Sequence, residues 1–408
     1  MGSKWREVKI GEVVNLSQGQ CMNAKAAHLL SEEGLPLLRI TDLINDTQRQ
    51  FINPKLVNKK VVASPSDLIF TRTGQVGLIF RGKSGVVHNN CFKIIPDEKL
   101  INKGFVYYFF KQPLVYQQIN AFAKGAAQAD LNHSAFKSLN FKYPESIETQ
   151  QKIATILSNY DNLIENNEKR IKILENILKL IYEEWFVRFK FPGHKKNKPD
   201  WKKKFSEFVD FKEGPGLRNW QYRETGFPFL NIRTLINNDI DFNKIQYIDT
   251  KEANERYTHF FLKENDHVIS SSGTIGRLVT IQTCHLPIML NTSIIRMRPR
   301  QKNIGTWQLK HFLLSSYFQD QIKAYAIGAA QMNYGPSHLE KMWIIAPSEK
   351  IGIEYEKTVN PLEESIKKVA RKNQALRKTR DLLLPRLISG EIDVSDLNIQ
   401  LNQEVVNT

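Results

Sequence analysis

The chain is written twice, and a duplication on this scale restricts the fold more than any local motif, because whatever one half builds the other must build again. Pro36-Leu37-Leu38-Arg39-Ile40-Thr41-Asp42-Leu43-Ile44-Asn45 returns as Pro228-Phe229-Leu230-Asn231-Ile232-Arg233-Thr234-Leu235-Ile236-Asn237. Asp67-Leu68-Ile69-Phe70-Thr71-Arg72-Thr73-Gly74-Gln75-Val76-Gly77 returns as Asp266-His267-Val268-Ile269-Ser270-Ser271-Ser272-Gly273-Thr274-Ile275-Gly276. Gly125-Ala126-Ala127-Gln128 returns as Gly328-Ala329-Ala330-Gln331, Pro144 and Pro347 close the halves, and Trp5 and Trp201 open them. The offset between copies drifts only from 192 through 199 to 203 residues, so the order of blocks is kept throughout.

Within a half, strand-like runs (Leu37–Ile40, Asp67–Thr71, Gly85–Ile95) alternate with glycine turns. A helix-like stretch, Asn102–Ala123, is matched by Ile304–Ala326. This mixture predicts an α/β (mixed) domain in each half. A long heptad helix follows each domain. Leu157, Ile164, Ile171, Leu178 and Trp185 form one row of the first, with Tyr160, Asn167, Leu174 and Ile181 beside it. In the second, Val359, Ile366, Asn373 and Leu387 form one row, interrupted by Arg380, and Leu362, Val369, Leu376 and Leu383 the other. Apolar rows sustained over heptads need a partner seam, and with one such helix per half the economical partner is the other helix of the same chain. Asn167 and Asn373, polar residues at seam positions, are the expected register markers. Pro385 is expected to kink the second helix near its end, with Gly390 as its cap. The organisation read from the sequence is therefore a domain over 1–148, a heptad helix over 149–190, a basic linker over 191–204, a second domain over 205–348, a second heptad helix over 349–390 and a tail over 391–408.

Charge points to the partner. The 408 residues carry 58 Lys+Arg against 42 Asp+Glu, a net charge of +16, and such an excess suits a polyanion because each cation set against a phosphate releases counterions. The most apolar run, Leu174 to Val187, is broken by Glu175, Asn176, Lys179, Glu183 and Glu184, so no membrane span is expected. No signal-like apolar segment opens the chain, and Cys21, Cys91 and Cys284 make neither a disulfide frame nor a metal pair, which together predict a cytoplasmic location.

No phosphate-binding glycine loop, dinucleotide fingerprint, zinc-protease motif or methyltransferase tetrapeptide occurs, so no catalytic residue, metal site or cofactor is expected. One spacing resembles a metal-dependent nuclease: Pro199-Asp200 followed by Asp210-Phe211-Lys212. The duplication argues against it, since Asn15 and Ser17 stand at the corresponding places in the first half.

What remains is equipment for contacting DNA. Thr71, Arg72, Thr73, Gly74 and Gln75, and in the second copy Ser271, Ser272, Gly273 and Thr274, offer hydroxyls for phosphate oxygens and longer polar groups for base edges. The small-residue blocks add Lys124, Gly125 and Gln128 and their counterparts Gly328 and Gln331. Arg39, Thr41, Asn231 and Arg233 close the first paired strands, and Asn90 and Asn291, beside His88, Asn89 and Thr292, flank later ones. The same glycines also suit a tight turn with no ligand, and the same asparagines suit turns.

Two tandem domains, each closed by a heptad helix, together with the (Ser/Thr)-x-x-Gly-x-x-Gly turns at Gly74/Gly77 and Gly273/Gly276, the two Gly-Ala-Ala-Gln blocks and the helix end from Arg380-Asp381-Leu382-Leu383-Leu384-Pro385 to Ser389-Gly390-Glu391, resemble the specificity subunit of Type I restriction–modification systems. One departure is that the first helix ends in Ile181-Tyr182-Glu183-Glu184-Trp185-Phe186 instead. The resemblance implies two target-recognition domains separated by an antiparallel intramolecular coiled coil, each reading one half of a bipartite site in double-stranded DNA. It implies two methyltransferase subunits and two restriction subunits as partners, which would hold S-adenosylmethionine, ATP and Mg²⁺. Ala129-Asp130-Leu131-Asn132-His133 differs from Met332-Asn333-Tyr334-Gly335-Pro336, so the two half-sites are expected to differ. A stand-alone architectural DNA-binding protein, and a related system with a fused nuclease–methyltransferase, are the alternatives.

Overall fold

The computed structural model describes residues 4–123, 129–193, 200–236, 238–326 and 333–400. The chain forms two compact units, Met1–Asn167 with Arg371–Thr408, and Glu168–Ala370.

In the first unit, strand Trp5–Lys9 pairs antiparallel with Asn140–Pro144, Trp5 lying opposite Pro144. A four-stranded antiparallel sheet runs in the order Val14–Gln18, Cys91–Pro96, Leu68–Thr71, Ile79–Phe80. In the second unit, Lys202–Lys204 pairs with Trp343–Ile345, and a four-stranded sheet runs Val209–Glu213, Ile294–Pro299, His267–Ser270, Leu278–Thr280. The sequence duplication is thus a strand-for-strand duplication. The register repeats as well: Phe92 faces Phe70 where Ile295 faces Ile269. The copies diverge in the segment that follows the second strand of each domain. The first unit builds a five-stranded sheet in the order Leu30–Ser31, Phe51–Ile52, Leu35–Leu38, Gly85–Val87, Val62–Ala63. The second builds a three-stranded sheet from Tyr222–Arg223, Gln246–Ile248 and Phe227–Phe229, and a separate pair, Leu235–Ile236 with Asp239–Ile240.

Several local expectations are corrected. Each helix-like stretch is two helices, Lys103–Lys111 and Pro113–Ala123 in the first copy and Thr306–Leu314 and Ser316–Ala326 in the second. Gln112 precedes a proline, which drives it out of the helical region to ψ 133°. Ser315 reaches the same break without proline: its hydroxyl donates to the Phe312 carbonyl at 2.6 Å, competing with the helix ladder. The run Leu37–Ile40 is strand only to Leu38; Arg39 stands at the N-cap of a short helix, Ile40–Asn45, which contains Thr41. The lysines Lys202–Lys204, read as linker, are the strand already described, and Lys204 Nζ lies 4.1 Å above the Trp343 ring.

The long helices run Ile147–Tyr182, continued by a π-turn over Glu183–Val187, and Glu349–Ser389. Every residue of the four seam rows is buried or half-buried, as the heptads require. Within the first unit, Asn167 Nδ2 donates to Asn373 Oδ1 at 2.7 Å, and Asn373 Nδ2 donates to the Ile164 carbonyl at 3.1 Å. Arg380 Nη1 donates to Asp161 at 2.7 Å. Moving from Asp161 to Asn167 therefore moves from Arg380 back to Asn373, so the two segments are antiparallel. Pro385 lies within the helix, which continues to Ser389. Gly390 closes it at φ +83°, where any side chain would also meet the Trp5 ring at 2.6 Å.

Each helix segment belongs to the core of its unit. Phe70, Phe92, Phe110 and Phe136 form an aromatic cluster that shares a core with Ile153, Ala154 and Leu157 of the first helix and Leu384, Leu387 and Ile388 of the second. In the second unit, Leu178, Tyr182, Trp185 and Phe186 pack with Tyr355, Val359, Phe312 and Phe205. Removing either helix segment would open a core, so the helices are structural parts of the domains as well as a seam.

Candidate nucleic-acid interface

The turn after the third strand of each four-stranded sheet is built the same way twice. Thr71 Oγ1 donates to the Gln75 carbonyl at 2.5 Å and accepts from the Leu78 N–H at 2.9 Å. Ser270 Oγ donates to the Thr274 carbonyl at 2.6 Å and accepts from the Arg277 N–H at 2.9 Å. Both hydroxyls are buried and locked into the turn, so Thr71, a candidate contact in the sequence, shapes the loop from inside. Gly74 (φ +79°) and Gly273 (φ +63°) take the left-handed backbone this turn needs. At the tips, Gly74, Gln75, Gly273 and Thr274 are exposed.

Three blocks far apart in sequence meet behind each tip. Arg72 N–H donates to the Asn90 carbonyl at 2.8 Å, Gly74 N–H to Ala129 at 2.9 Å, and Leu131 N–H to the Arg72 carbonyl at 2.9 Å. The second copy repeats this with Ser271 N–H to the Ser293 carbonyl at 2.9 Å and Tyr334 N–H to the Ser271 carbonyl at 3.0 Å. A fourth block is close in each case. His88 N–H donates to Leu38 at 3.2 Å beside Arg39, and Ile232 would sit 3.4 Å from a side chain placed at Gly273. Burial, with the Arg39 charge behind it, holds the His88 imidazole below its ordinary pKa. Lys124, Gly125, Gln128, Gly328 and Gln331 lie outside the described residues.

The side chains of these blocks divide by what they already hold. Arg72 donates through Nε and Nη2 to both oxygens of Asp130, and Thr73 Oγ1 donates to the same carboxylate at 2.6 Å. Arg39 Nε donates to Asp42 at 2.6 Å and Nη1 to Gln50 at 3.1 Å. Burial would raise the Asp42 carboxyl, but its hydrogen bonds from Arg39 and Thr47 hold it below the usual carboxylate range. Asn231 caps the turn Ile232–Thr234, accepting from Arg233 N–H at 2.9 Å. Asn291 is buried and accepts from the N–H groups of Leu217 and Thr292, so its amide holds the chain in place. Ser271 is buried, Asn90 and Ser272 are half-buried, and Thr41 and Arg233 are exposed.

The nuclease-like spacing is occupied by structure. Asp210 pairs with Arg296 and lies 4.0 Å from Arg300, while Lys212 sits over the Phe260 ring. Asp200 pairs with Lys203 at 3.4 Å, and Pro199 lies outside the described residues. Among the described residues no cluster of three or more His, Cys, Asp or Glu side chains could hold a metal ion, and no helix is long and apolar enough to cross a membrane.

A model of the Type I restriction modification DNA specificity domain matches residues 2–176 and again 198–377. The chain belongs to the Type I restriction–modification specificity family. Each match runs from the opening of a domain into its heptad helix. The specificity subunit of the Type I restriction enzyme MjaVIII of Methanocaldococcus jannaschii is 24% identical over 413 residues, covering 97% of this chain and 94% of that protein. The MjaIX specificity subunit of the same organism is 26% identical over 352 residues, 81% of this chain and 78% of that one. Among solved structures, the S subunit of a Type I restriction-modification system from M. genitalium shares the fold, with TM-score 0.59 over 94% of this chain and 96% of that one at 17% identity.

Sequence reasoning passed over Asp130 and Gln18, the two side-chain partners of Arg72: an acid is a poor candidate for meeting a phosphate, and no local pattern ties Gln18 to a residue 54 positions away. A signal for Asp130 was present as the divergence of its block from that at Asn333. It also passed over Trp220, 72% exposed in the run Arg218-Asn219-Trp220-Gln221-Tyr222-Arg223. That basic–aromatic alternation lies where the two copies diverge.

Proposed function

We propose that this specificity-family chain is the non-catalytic DNA-recognition subunit of a Type I restriction–modification enzyme, reading an asymmetric bipartite site in double-stranded DNA with one half-site per domain. The observation that carries the reading is the duplicated tip. The backbone is the same in both copies, yet Arg72 and Asp130 stand where the other copy has Ser271 and Asn333. A shared frame with different polar groups at one place is what two readers of different bases require. The contacts assigned to the first half-site are Arg72, Thr73, Gly74 and Gln75 with Thr41 and the block at Lys124, Gly125 and Gln128. Those assigned to the second are Ser272, Gly273 and Thr274 with Arg233 and the block at Gly328 and Gln331.

The helix pair sets the unspecified gap between half-sites, and Asn167 with Asn373 fixes its register. An amide pair in the seam costs stability relative to leucine but penalises every shifted alignment. Two methyltransferase subunits dock on the chain, and two restriction subunits join through them. Those partners bind S-adenosylmethionine, ATP and Mg²⁺.

Replacing residues 205–348 by a second copy of the first domain tests this. Methylation mapped in cells that also express the methyltransferase subunit is expected to move to a palindromic split motif built from the first half-site alone. An unchanged motif would refute the assignment of one half-site to each domain.

A further inference from the structure

The two tips differ most in the residue that follows the turn-locking hydroxyl. In the first copy, Arg72 Nε donates to Asp130 Oδ1 at 3.1 Å and Nη2 to Oδ2 at 2.8 Å, while Nη1 donates to Gln18 Oε1 at 3.2 Å. Asp130 is itself held by the Thr73 hydroxyl, and the Gln18 amide is oriented by its donation to the Asn89 carbonyl at 2.6 Å. The second copy keeps the backbone tie without any of this. Ser272 bridges to Asn333 as Thr73 does to Asp130, and Tyr334 bonds to Ser271 as Leu131 does to Arg72. The ion pair is therefore not needed to hold the tip. With side chains 24% and 35% exposed, the pair is reachable from solvent.

What the pair does is immobilise a guanidinium at an open loop end. Of the five N–H donors of an arginine, Asp130 and Gln18 take three, which leaves one on Nη1 and one on Nη2 without an acceptor among the described residues. Donors left on both Nη atoms of one planar guanidinium can meet the O6 and N7 acceptors of guanine in the major groove. A phosphate is the poorer match, because the adjoining carboxylate cancels the arginine charge. Asp130 stays ionised to do so: the hydrogen bond from Arg72 holds its carboxyl below the usual range.

We propose that Arg72 is a specificity-determining residue that reads a guanine in the half-site of the first domain, aimed by Asp130, Thr73 and Gln18. The second domain, with Ser271 in that place, makes no such demand. The inference rests on the DNA-reading role proposed above and names the base it selects at one position.

The test uses the full chain purified with its methyltransferase partner and duplexes carrying the motif methylated in its presence. Each guanine of the first half-site is replaced in turn by 7-deazaguanine, which loses the N7 acceptor and keeps base pairing and phosphates. One replacement is expected to weaken wild-type binding about ten-fold. Arg72→Ala is expected to bind normal and substituted duplexes alike, and Asp130→Asn, which keeps the backbone tie, to show a reduced preference. A variant Arg72→Ala that binds every duplex more weakly while all 7-deazaguanine effects persist would mark a phosphate contact and overturn the proposal. So would a first half-site in which no guanine responds. A wild-type complex with no sequence preference at all would overturn the DNA-recognition reading itself, before any variant is made.

Discussion

Replacing Glu363 by alanine is expected to lower the stability of the second unit by about 3–5 kcal/mol, the range for removing one member of a buried ion pair. Glu363 lies on the second long helix at 1% exposure, and its carboxylate accepts from Lys310 Nζ at 2.6 and 2.8 Å and from His311 Nε2 at 2.8 Å. His311 Nδ1 faces the Tyr355 hydroxyl at 2.7 Å, so a neutral ring that donates to Glu363 and accepts from Tyr355 satisfies all three groups. Burial keeps the ring neutral by lowering its pKa. Without Glu363 the Lys310 ammonium and a ring N–H lose their acceptor in a buried place, while the helix loses its polar anchor to the domain. At about 2–4 °C per kcal/mol for a domain of this size, the melting temperature should fall by about 10 °C.

The same carboxyl predicts a pH dependence. Burial alone would raise its pKa, but the donors around it pull it down to about 2, below the ordinary value of 4.5. The unfolded chain then binds the proton first as pH falls, so this stability is present above about pH 4.5 and is lost between there and about pH 2. The gap in urea midpoint between wild type and Glu363→Ala should therefore be widest near neutrality and narrow toward pH 3. A variant that melts within 2 °C of wild type at pH 7 would show that the pair does not anchor the helix.

The second large effect concerns the first unit. Phe70→Ala should cost about 3–5 kcal/mol, because the ring is fully buried with Phe92, Phe110 and Phe136 at centroid distances of 5.3, 5.2 and 5.1 Å. Phe70 immediately precedes Thr71 and Arg72, so the cavity lies under the tip. Calorimetry should show the loss, and methylation should fall as recognition of the first half-site weakens. The matching residue in the second copy is Ile269, and Ile269→Val should cost only about 0.5–1.5 kcal/mol and leave methylation near normal. Equal losses from the two substitutions would mean that the aromatic cluster is not what braces the tip.

Much of this architecture is legible in the residues. Ordered repeats report a duplicated domain because corresponding strands must pair in corresponding registers, and heptads report helices because only a 3.5-residue spacing keeps Leu157, Ile164 and Leu178 on one side. The site is less legible for a physical reason. A hydroxyl or amide has the same sequence signature whether it faces a ligand or its own backbone. Thr71 and Asn291 turned inward, and Arg72 found an acid 58 residues away that no local pattern could connect to it. The helix break at Pro113 was readable from the residue type, whereas that at Ser315 depends on a side chain folding back on its own turn.

The most direct measurement is long-read detection of modified bases in DNA from cells expressing this chain together with its methyltransferase subunit. A split motif of two short, different halves around a fixed gap is expected, methylated once on each strand and only when this chain is present. A methylome that does not change with the chain, while the purified chain still binds DNA alone, would contradict it.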